Sequence, residues 1–165
     1  MIADVVVRPP TEDEWRQVRD LRLEMLADTP IAYLETLETA RRHDEAHWRR
    51  RARPRQDGGV FLVAVLPNGR FVGQMAGVVD VAGPTLVAVY VAPAFRGAAA
   101  GVADALLDGI EDWACASSTL LRLEVNELNL RARSYYERRG FVLTGRTSPY
   151  PLDPPSLELE MVKRL

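Results

Sequence analysis

The sequence contains a single cysteine and no long hydrophobic segment. Cys115 has no second cysteine to pair with, so an internal disulfide is excluded and a reducing compartment, the cytoplasm, is expected. No run of about 18 uncharged apolar residues occurs, which argues against a membrane-spanning helix. The first ten residues include Asp4 and Arg8 and lack the apolar segment of a signal peptide, so we expect them to begin the first strand.

An excess of charge of one sign is also missing. The 21 basic and 23 acidic residues give a net charge of −2, which argues against a strongly basic nucleic-acid-binding domain. Hydrophobic residues make up 47% and charged residues 27% of the chain, as is typical of globular proteins. This composition excludes disordered and collagen-like chains, and the length predicts one domain over residues 1–165.

Apolar residues follow strand-like spacing in some segments and helix-like spacing in others, which predicts an α/β (α+β) domain. The segment Thr85 to Val91 is nearly all apolar, so we expect a central strand covered on both faces. Residues 30–42 give no clear pattern, and the four prolines between Thr147 and Ser156 predict a loop. Helices are predicted over 15–27, from about 44, over 102–114 and over 129–138. Strands are predicted over 3–7, 60–66, 70–81, 85–91, 120–125, 141–146 and 157–163.

A strand, a turn and a helix follow one another between Val89 and Val102. From Gly97 to Gly101 every residue is Gly or Ala, so an anion can approach the backbone closely. The unpaired N–H groups of a helix N-terminus attract phosphate, and Arg96 can add a charge-assisted contact. The alternative is that small residues here only let a helix pack close to a sheet. The pattern matches neither the P-loop nor the full dinucleotide-binding fingerprint.

The order Val91-x-Pro93-x-x-Arg96-Gly97-x-x-x-Gly101 resembles the acyl-CoA-binding motif of the GNAT superfamily of N-acetyltransferases. That motif is Arg/Gln-x-x-Gly-x-Gly/Ala. Ala99 stands where the superfamily usually has glycine. If this position needed a positive φ, alanine would cost about 1–2 kcal/mol. We expect instead that Ala99 lies in the first helical turn, where alanine is favourable.

A second segment resembles the superfamily's motif Asn-x-x-Ala-x-x-x-Tyr-x-x-x-Gly-Phe. The matching residues are Asn129, Ala132, Tyr136, Gly140 and Phe141. The two motifs together imply a GNAT-like mixed, mostly antiparallel and splayed sheet of six to seven strands, flanked by about four helices. They also imply transfer of an acetyl group from acetyl-CoA, without a metal, to a primary amine by direct attack in a ternary complex.

The resemblance implies which residues contact acetyl-CoA. Asn129 has a second explanation, because asparagine is also a common helix N-cap. The predicted cofactor-binding residues are Val89, Tyr90, Val91, Arg96, Gly97, Ala98, Ala99, Ala100, Gly101, Val102, Asn129, Ala132 and Tyr136.

Two catalytic residues are predicted. A phenol with a pKa of about 10 keeps its proton at neutral pH and can donate it to a leaving thiolate, which is the role the resemblance implies for Tyr136. The alternative for Tyr136 is a core aromatic residue, and the adjacent Tyr135 is expected only to pack. Glu124 is the first candidate general base, through water, by its likeness to the Leu-Glu-Val segment of ribosomal-protein alanine acetyltransferases. Its alternative is an exposed strand carboxylate, and Asp80 is the second candidate base.

The acceptor is not defined by the sequence: a peptide N-terminus, a lysine and a small-molecule amine are all open. Tyr33, Glu35 and Tyr150 are candidate walls of its pocket. His43 and His47 have the spacing of a metal pair, but no third ligand accompanies them, so a solvated helix face is preferred. The arginines at 49, 50, 51, 53 and 55 are interpreted as a solvated helix end rather than a nucleic-acid contact. A non-catalytic acyl-CoA-binding sensor or interaction module is the alternative function, no membrane or nucleic-acid partner is expected, and a homodimer stays open.

Overall fold

The structure, a computed structural model, describes residues 4–30 and 33–165. Seven strands and five α-helices lie within these residues. The strands are β1 (Val6–Arg8), β2 (Val60–Val65), β3 (Phe71–Asp80), β4 (Gly83–Val91), β5 (Leu120–Asn126), β6 (Val142–Tyr150) and β7 (Asp153–Arg164). The helices are α1 (Trp15–Asp28), α2 (Leu37–Arg41), α3 (Glu45–Ala52), α4 (Val102–Cys115) and α5 (Leu130–Arg138).

The strands form one sheet in the order β1-β2-β3-β4-β5-β7-β6. All neighbours are antiparallel except β4 and β5, so the predicted mixed, mostly antiparallel sheet is confirmed. The parallel pairing is limited to Thr85 with Arg122 and Leu86 with Leu123. Beyond Leu86 the two strands part, and the sheet is splayed at its centre.

Helices cover both faces of the sheet. On one face α4 packs against β2 and β3, and a Cβ added at Gly77 would lie 2.3 Å from the Trp113 ring, so only glycine allows this close approach. On the other face α1 packs against α3 and β3, and the Tyr90 hydroxyl donates to Glu24 of α1 at 3.1 Å. The parting of β4 and β5 is therefore flanked by helical layers above and below.

Three sequence predictions need correction. Helix α2 lies in the segment that gave no clear pattern, so the described residues contain five helices where about four were expected. Its sequence signal is Thr36, whose side chain accepts from the Thr39 amide. The predicted loop from Thr147 to Ser156 is mostly strand: Pro149 lies on the edge strand β6, and Pro154 and Pro155 lie at the start of β7, before its pairing with β5 begins at Glu158. Strand β4 is central, as predicted, but Val87–Val89 are only half-buried because they border the opening.

No helix in the described parts of the chain has both the length and the apolar character needed to cross a bilayer.

Candidate active site

A crevice of about 380 Å³ opens where β4 and β5 part. A β-bulge helps to shape it: Ala88 has a φ of +55°, and the β3–β4 register shifts between Gln74 and Ala76. The Gln74 side chain donates to the Ala88 carbonyl at 3.1 Å and holds the bulge from β3. No sequence pattern marked Ala88, since alanine rarely adopts a positive φ.

Ten of the predicted site residues line this crevice, which brings both motifs to one place. They are Val89, Tyr90, Val91, Arg96, Gly97, Ala98, Glu124, Asn129, Ala132 and Tyr136. The other four predicted residues, Ala99, Ala100, Gly101 and Val102, do not line it in this conformation.

The loop after β4 carries its glycines where the backbone needs them. Gly97 and Gly101 have φ values of +95° and +69°. Gly101 is the N-cap of α4, and the first helical backbone bond runs from the Ala105 amide to the Gly101 carbonyl at 3.0 Å. The amides of residues 102–104 therefore have no partner within the helix and are free to bind an anion.

Ala99 lies in the turn before α4 and not in the first helical turn, so that expectation was wrong. Alanine nevertheless costs nothing at this position, because Ala99 is not among the described residues that have a positive φ. The glycine requirement falls on Gly97 and Gly101 instead.

Arg96 is engaged within the protein. Its Nε donates to the Val91 carbonyl at 2.7 Å, and its guanidinium pairs with Asp28 at the end of α1. The hydrogen bond from Arg96 is the main reason that the pKa of Asp28 is lowered. Arg96 thus braces the end of β4 against α1 while also lining the crevice. Sequence reasoning missed three further cations that line it: Arg131 and Arg138, both exposed on α5, and Arg139, which pairs with Asp104.

Helix α5 places Tyr136 at the crevice. Its N-cap is Asn129, whose side chain accepts from the Ala132 amide at 3.3 Å, so the capping explanation is confirmed. Tyr136 is 5% exposed, and its ring packs edge-on against Phe141 at 5.7 Å. Among the described residues its hydroxyl has no hydrogen-bond partner. Burial raises the pKa of Tyr136 well above 10, so the phenol keeps its proton at neutral pH.

Tyr135 has a different surrounding. Its hydroxyl donates to Asp104 of α4 at 3.0 Å, which ties α5 to α4. This contact supports the packing role predicted for Tyr135, although the residue also lies along the crevice wall.

The two carboxylates proposed as bases lie in different places. Glu124 is exposed on β5 and lines the crevice together with Tyr136. Asp80 accepts from the Ala82 amide and from the Thr85 hydroxyl at the β3–β4 turn, and it borders neither the crevice nor the second cavity described below. Asp80 is therefore a turn residue in this structure.

Sequence reasoning missed a third carboxylate, Glu158. Glu158 of β7 pairs with Asn126 of β5. Asn126 lies two residues after Glu124 on the same strand, so Glu158 and Glu124 share one face of the sheet. Burial raises the pKa of Glu158, and the neighbouring Glu124 charge raises it further. The alternating pattern of β7 predicts which face of the sheet Glu158 lies on. It does not predict that Glu158 lies close to Glu124.

Two of the candidate wall residues form one hydrogen-bonded chain. The Tyr33 hydroxyl donates to the Val89 carbonyl at 2.6 Å, and the Tyr150 hydroxyl donates to the Tyr33 carbonyl. Tyr33 lines the crevice, whereas Tyr150 supports it from behind. Glu35 lies against Arg22 at 2.8 Å and His43 at 2.7 Å. Burial alone would raise the pKa of Glu35, but these hydrogen bonds outweigh it and lower the pKa.

The imidazole rings of His43 and His47 stack at 3.6 Å. Within residues 4–30 and 33–165, no group of three metal-ligating side chains is found. His43 instead belongs to the Glu35 cluster.

A second cavity, of about 1140 Å³, lies on the face of the sheet covered by α3. Phe61, Ala76 and Val87 contribute to its lining, together with Arg51 of α3 and the segment 53–57. We call it the arginine cavity. It meets the crevice at Val87 and Ala88, which line both.

Comparison with protein families decides the class of the protein. The model of the acetyltransferase (GNAT) family matches residues 17–141, which include both motifs. The chain belongs to the GNAT acetyltransferase family. No sequence among the curated proteins matches it.

Solved structures agree with the GNAT fold. A GCN5-related N-acetyltransferase from Kribbella flavida is 21% identical, with 98% of each chain covered and a TM-score of 0.75. The protein yncA of Salmonella typhimurium, solved with acetyl-CoA, is 18% identical over 99% of this chain and 95% of its own, with a TM-score of 0.76. A phosphinothricin acetyltransferase from Sinorhizobium meliloti, also solved with acetyl-CoA, is 18% identical over 98% and 88%, with a TM-score of 0.76. At these identities the likeness concerns the fold.

Proposed function

We propose that this GNAT protein transfers an acetyl group from acetyl-CoA to a primary amine by direct attack in a ternary complex. The observation that carries the proposal is the crevice, where the open edge of β4, the small-residue loop and the Tyr136 phenol meet. The strand edge suits the amide-bearing pantetheine arm, because beyond Leu86 no residue of β5 pairs with β4. The free amides of residues 103 and 104, which line the crevice, suit a diphosphate together with Arg131 and Arg138.

The acceptor nitrogen must lose two protons, and the departing sulfur must gain one. Glu124, through water, takes the first proton from the ammonium form of the acceptor, and the nitrogen lone pair forms a C–N bond with the thioester carbonyl carbon. The C–S bond breaks, and Tyr136 donates its proton to the departing sulfur. The bonded nitrogen gives up its second proton, which returns through water to the Tyr136 phenolate, and Glu124 releases the first proton to solvent. The products are an acetylated amine, free CoA and one released proton.

The first prediction concerns stability in the presence of CoA. At about 100 times its Kd, CoA is expected to stabilise the fold by about 2.7 kcal/mol, because it binds the folded state alone. For a chain of 165 residues this corresponds to a Tm increase of roughly 5–10 °C. Differential scanning fluorimetry with CoA and, as the control, the same concentration of adenosine measures it. No CoA-specific increase would remove the basis of the proposal.

The second prediction concerns the loop. Ala99→Gly is expected to leave the Kd for CoA within about threefold, because Ala99 has no positive φ for glycine to relieve. The matched control, Gly101→Ala, forces alanine into a φ of +69° and should cost about 1–2 kcal/mol of stability or a corresponding loss of CoA affinity. Isothermal titration and thermal melts test the pair. A tenfold gain in affinity for Ala99→Gly would contradict this account of the loop.

We also propose that residues 1–165 act as one domain in a reducing cytoplasmic compartment, in keeping with the lone, exposed Cys115. A peptide terminus, a lysine and a small-molecule amine remain the classes of acceptor open to this fold.

A further inference from the structure

Two arginines of the basic run, Arg50 and Arg51, have no ion pair among the described residues; Arg50 is exposed, whereas the Nε of Arg51 is buried. Arg49 pairs with Glu45, Arg53 with Glu12 and Arg55 with Asp57. These three pairs occupy the carboxylates of Glu45, Glu12 and Asp57. Arg51 has no ion pair or hydrogen bond among the described residues, and its Nε is buried without a partner. The burial of the Arg51 Nε results from tertiary packing and could not be predicted from the run of arginines in the sequence.

No carboxylate of the described residues pairs with Arg51. The charged groups that act on it are Arg22, Glu35 and Arg55. Glu35 is already bound by Arg22 and His43, and Arg22 and Arg55 repel Arg51. Burial is the main reason that the pKa of Arg51 falls to about 10, and at neutral pH the guanidinium is still charged. Arg51 is half-buried, and its Nε is buried without a partner beside the arginine cavity, so its guanidinium is available to an anion that enters there.

Arg51 borders the arginine cavity, and this cavity leads to the reacting end of the crevice. Phe61, Ala76 and Val87 lie side by side on β2, β3 and β4, because Phe61 pairs with Ala76 and Ala76 with Val87. Leu86 pairs with Leu123, and successive residues of a strand point to opposite faces, so Glu124 shares the face of Val87. The floor of the cavity thus runs from beneath α3 towards the predicted base.

We propose that the arginine cavity is the acceptor site and that Arg51 binds an oxyanion of the acceptor, so that the substrate is an amine that also carries a carboxylate or a similar anionic group. This inference rests on the proposed function. The planar guanidinium of Arg51 makes paired, charge-assisted hydrogen bonds to a carboxylate, and the amine end then lies towards Glu124. Arg50, exposed on the same cavity, adds positive charge at the rim.

The test uses matched acceptors on the full chain. Primary amines that carry a carboxylate are compared with the same amines as carboxamides, and thiol release gives kcat and KM for each. The wild type is expected to favour the carboxylates by about 10- to 100-fold in kcat/KM, chiefly through KM. Arg51→Gln is expected to abolish this preference, and Arg51→Lys to restore part of it. Arg41→Gln, an exposed arginine on α2 outside both cavities, is the charge-matched control and should behave as the wild type.

A second readout needs no acceptor. Inorganic sulfate, compared with chloride at equal ionic strength, is expected to raise the Tm of the wild type and of Arg41→Gln more than that of Arg51→Gln. Without sulfate, Arg51→Gln should melt at about the wild-type temperature, because no ion pair or hydrogen bond to a described residue is lost. A fall of several degrees would assign Arg51 to the fold and overturn the inference.

The outcomes separate the inference from the proposed function. Acetyl transfer with equal use of carboxylates and carboxamides, or with an unchanged preference in Arg51→Gln, overturns the anion site and leaves the acetyltransferase. Equal sulfate protection of wild type and Arg51→Gln also overturns the anion site. Failure of CoA to bind overturns the proposed function itself.

Discussion

Replacing Tyr136 with phenylalanine is expected to lower kcat by about 100- to 10,000-fold, the range that general acid catalysis contributes. Four tyrosines line the crevice, and the hydroxyls of Tyr33, Tyr90 and Tyr135 already donate to protein acceptors. The substitution removes the phenol proton of Tyr136, the one of the four whose hydroxyl has no partner among the described residues. CoA affinity should stay within about threefold, since the ring remains. Stability should also be preserved, because no hydrogen bond of the Tyr136 hydroxyl to a described residue is lost. Steady-state thiol release, with a CoA titration and a thermal melt, measures all three.

Tyr135→Phe is the matched control on the same helix. It removes the hydrogen bond to Asp104 and should cost about 1 kcal/mol of stability, while kcat stays within a few-fold of the wild type. Full activity in Tyr136→Phe would show that another group protonates the sulfur. CoA binding without turnover of any amine by the wild type would favour the non-catalytic acyl-CoA-binding module instead.

Replacing Glu124 with glutamine is expected to lower kcat/KM at pH 7 by about 100-fold or more for an acceptor amine whose pKa is about 10.4. Only roughly one such amine in 2,500 is neutral at that pH, so a base is needed. For an amine whose pKa is about 8, roughly one in ten is neutral, and the loss should be at most about tenfold. Measuring the variant with both kinds of acceptor therefore tests the role of Glu124 as a proton acceptor.

Glu158→Gln and Glu137→Gln provide the comparisons. Glu137 is exposed on α5, and its substitution should change nothing beyond its pair with Arg133. Glu158 lies outside the crevice, so its substitution should cost no more than a few-fold. The sign of the pH effect is clear: a carboxylate base must be ionised, so activity falls as pH drops through its pKa. Suppose instead that Glu158→Gln lowers kcat/KM more than Glu124→Gln does, and that activity in Glu158→Gln no longer falls at low pH. The half-buried Glu158 would then be the base.

Much of the fold was predictable because its signals are local. The apolar spacing of α1 and α4, the turns that bound β2 and β3, and the Asn129 cap depend on residues within a few positions of one another. The family resemblance also rested on two short motifs, and the match over residues 17–141 confirms the family. The sequence missed α2, a helix of five residues with one capping signal, and it treated an edge-strand hairpin as a loop because of its prolines.

By itself, the sequence determined the family, the order of most elements and ten of the residues that converge on the crevice. Tertiary structure alone decided which charges pair between remote segments. Arg96 pairs with Asp28 across 68 positions, and Arg53 pairs with Glu12 across 41, whereas Arg51 in the same run has no partner among the described residues. Helix and strand propensities act over a few residues, but Coulomb attraction and burial depend on distances in space. Those distances are set only when remote segments pack together.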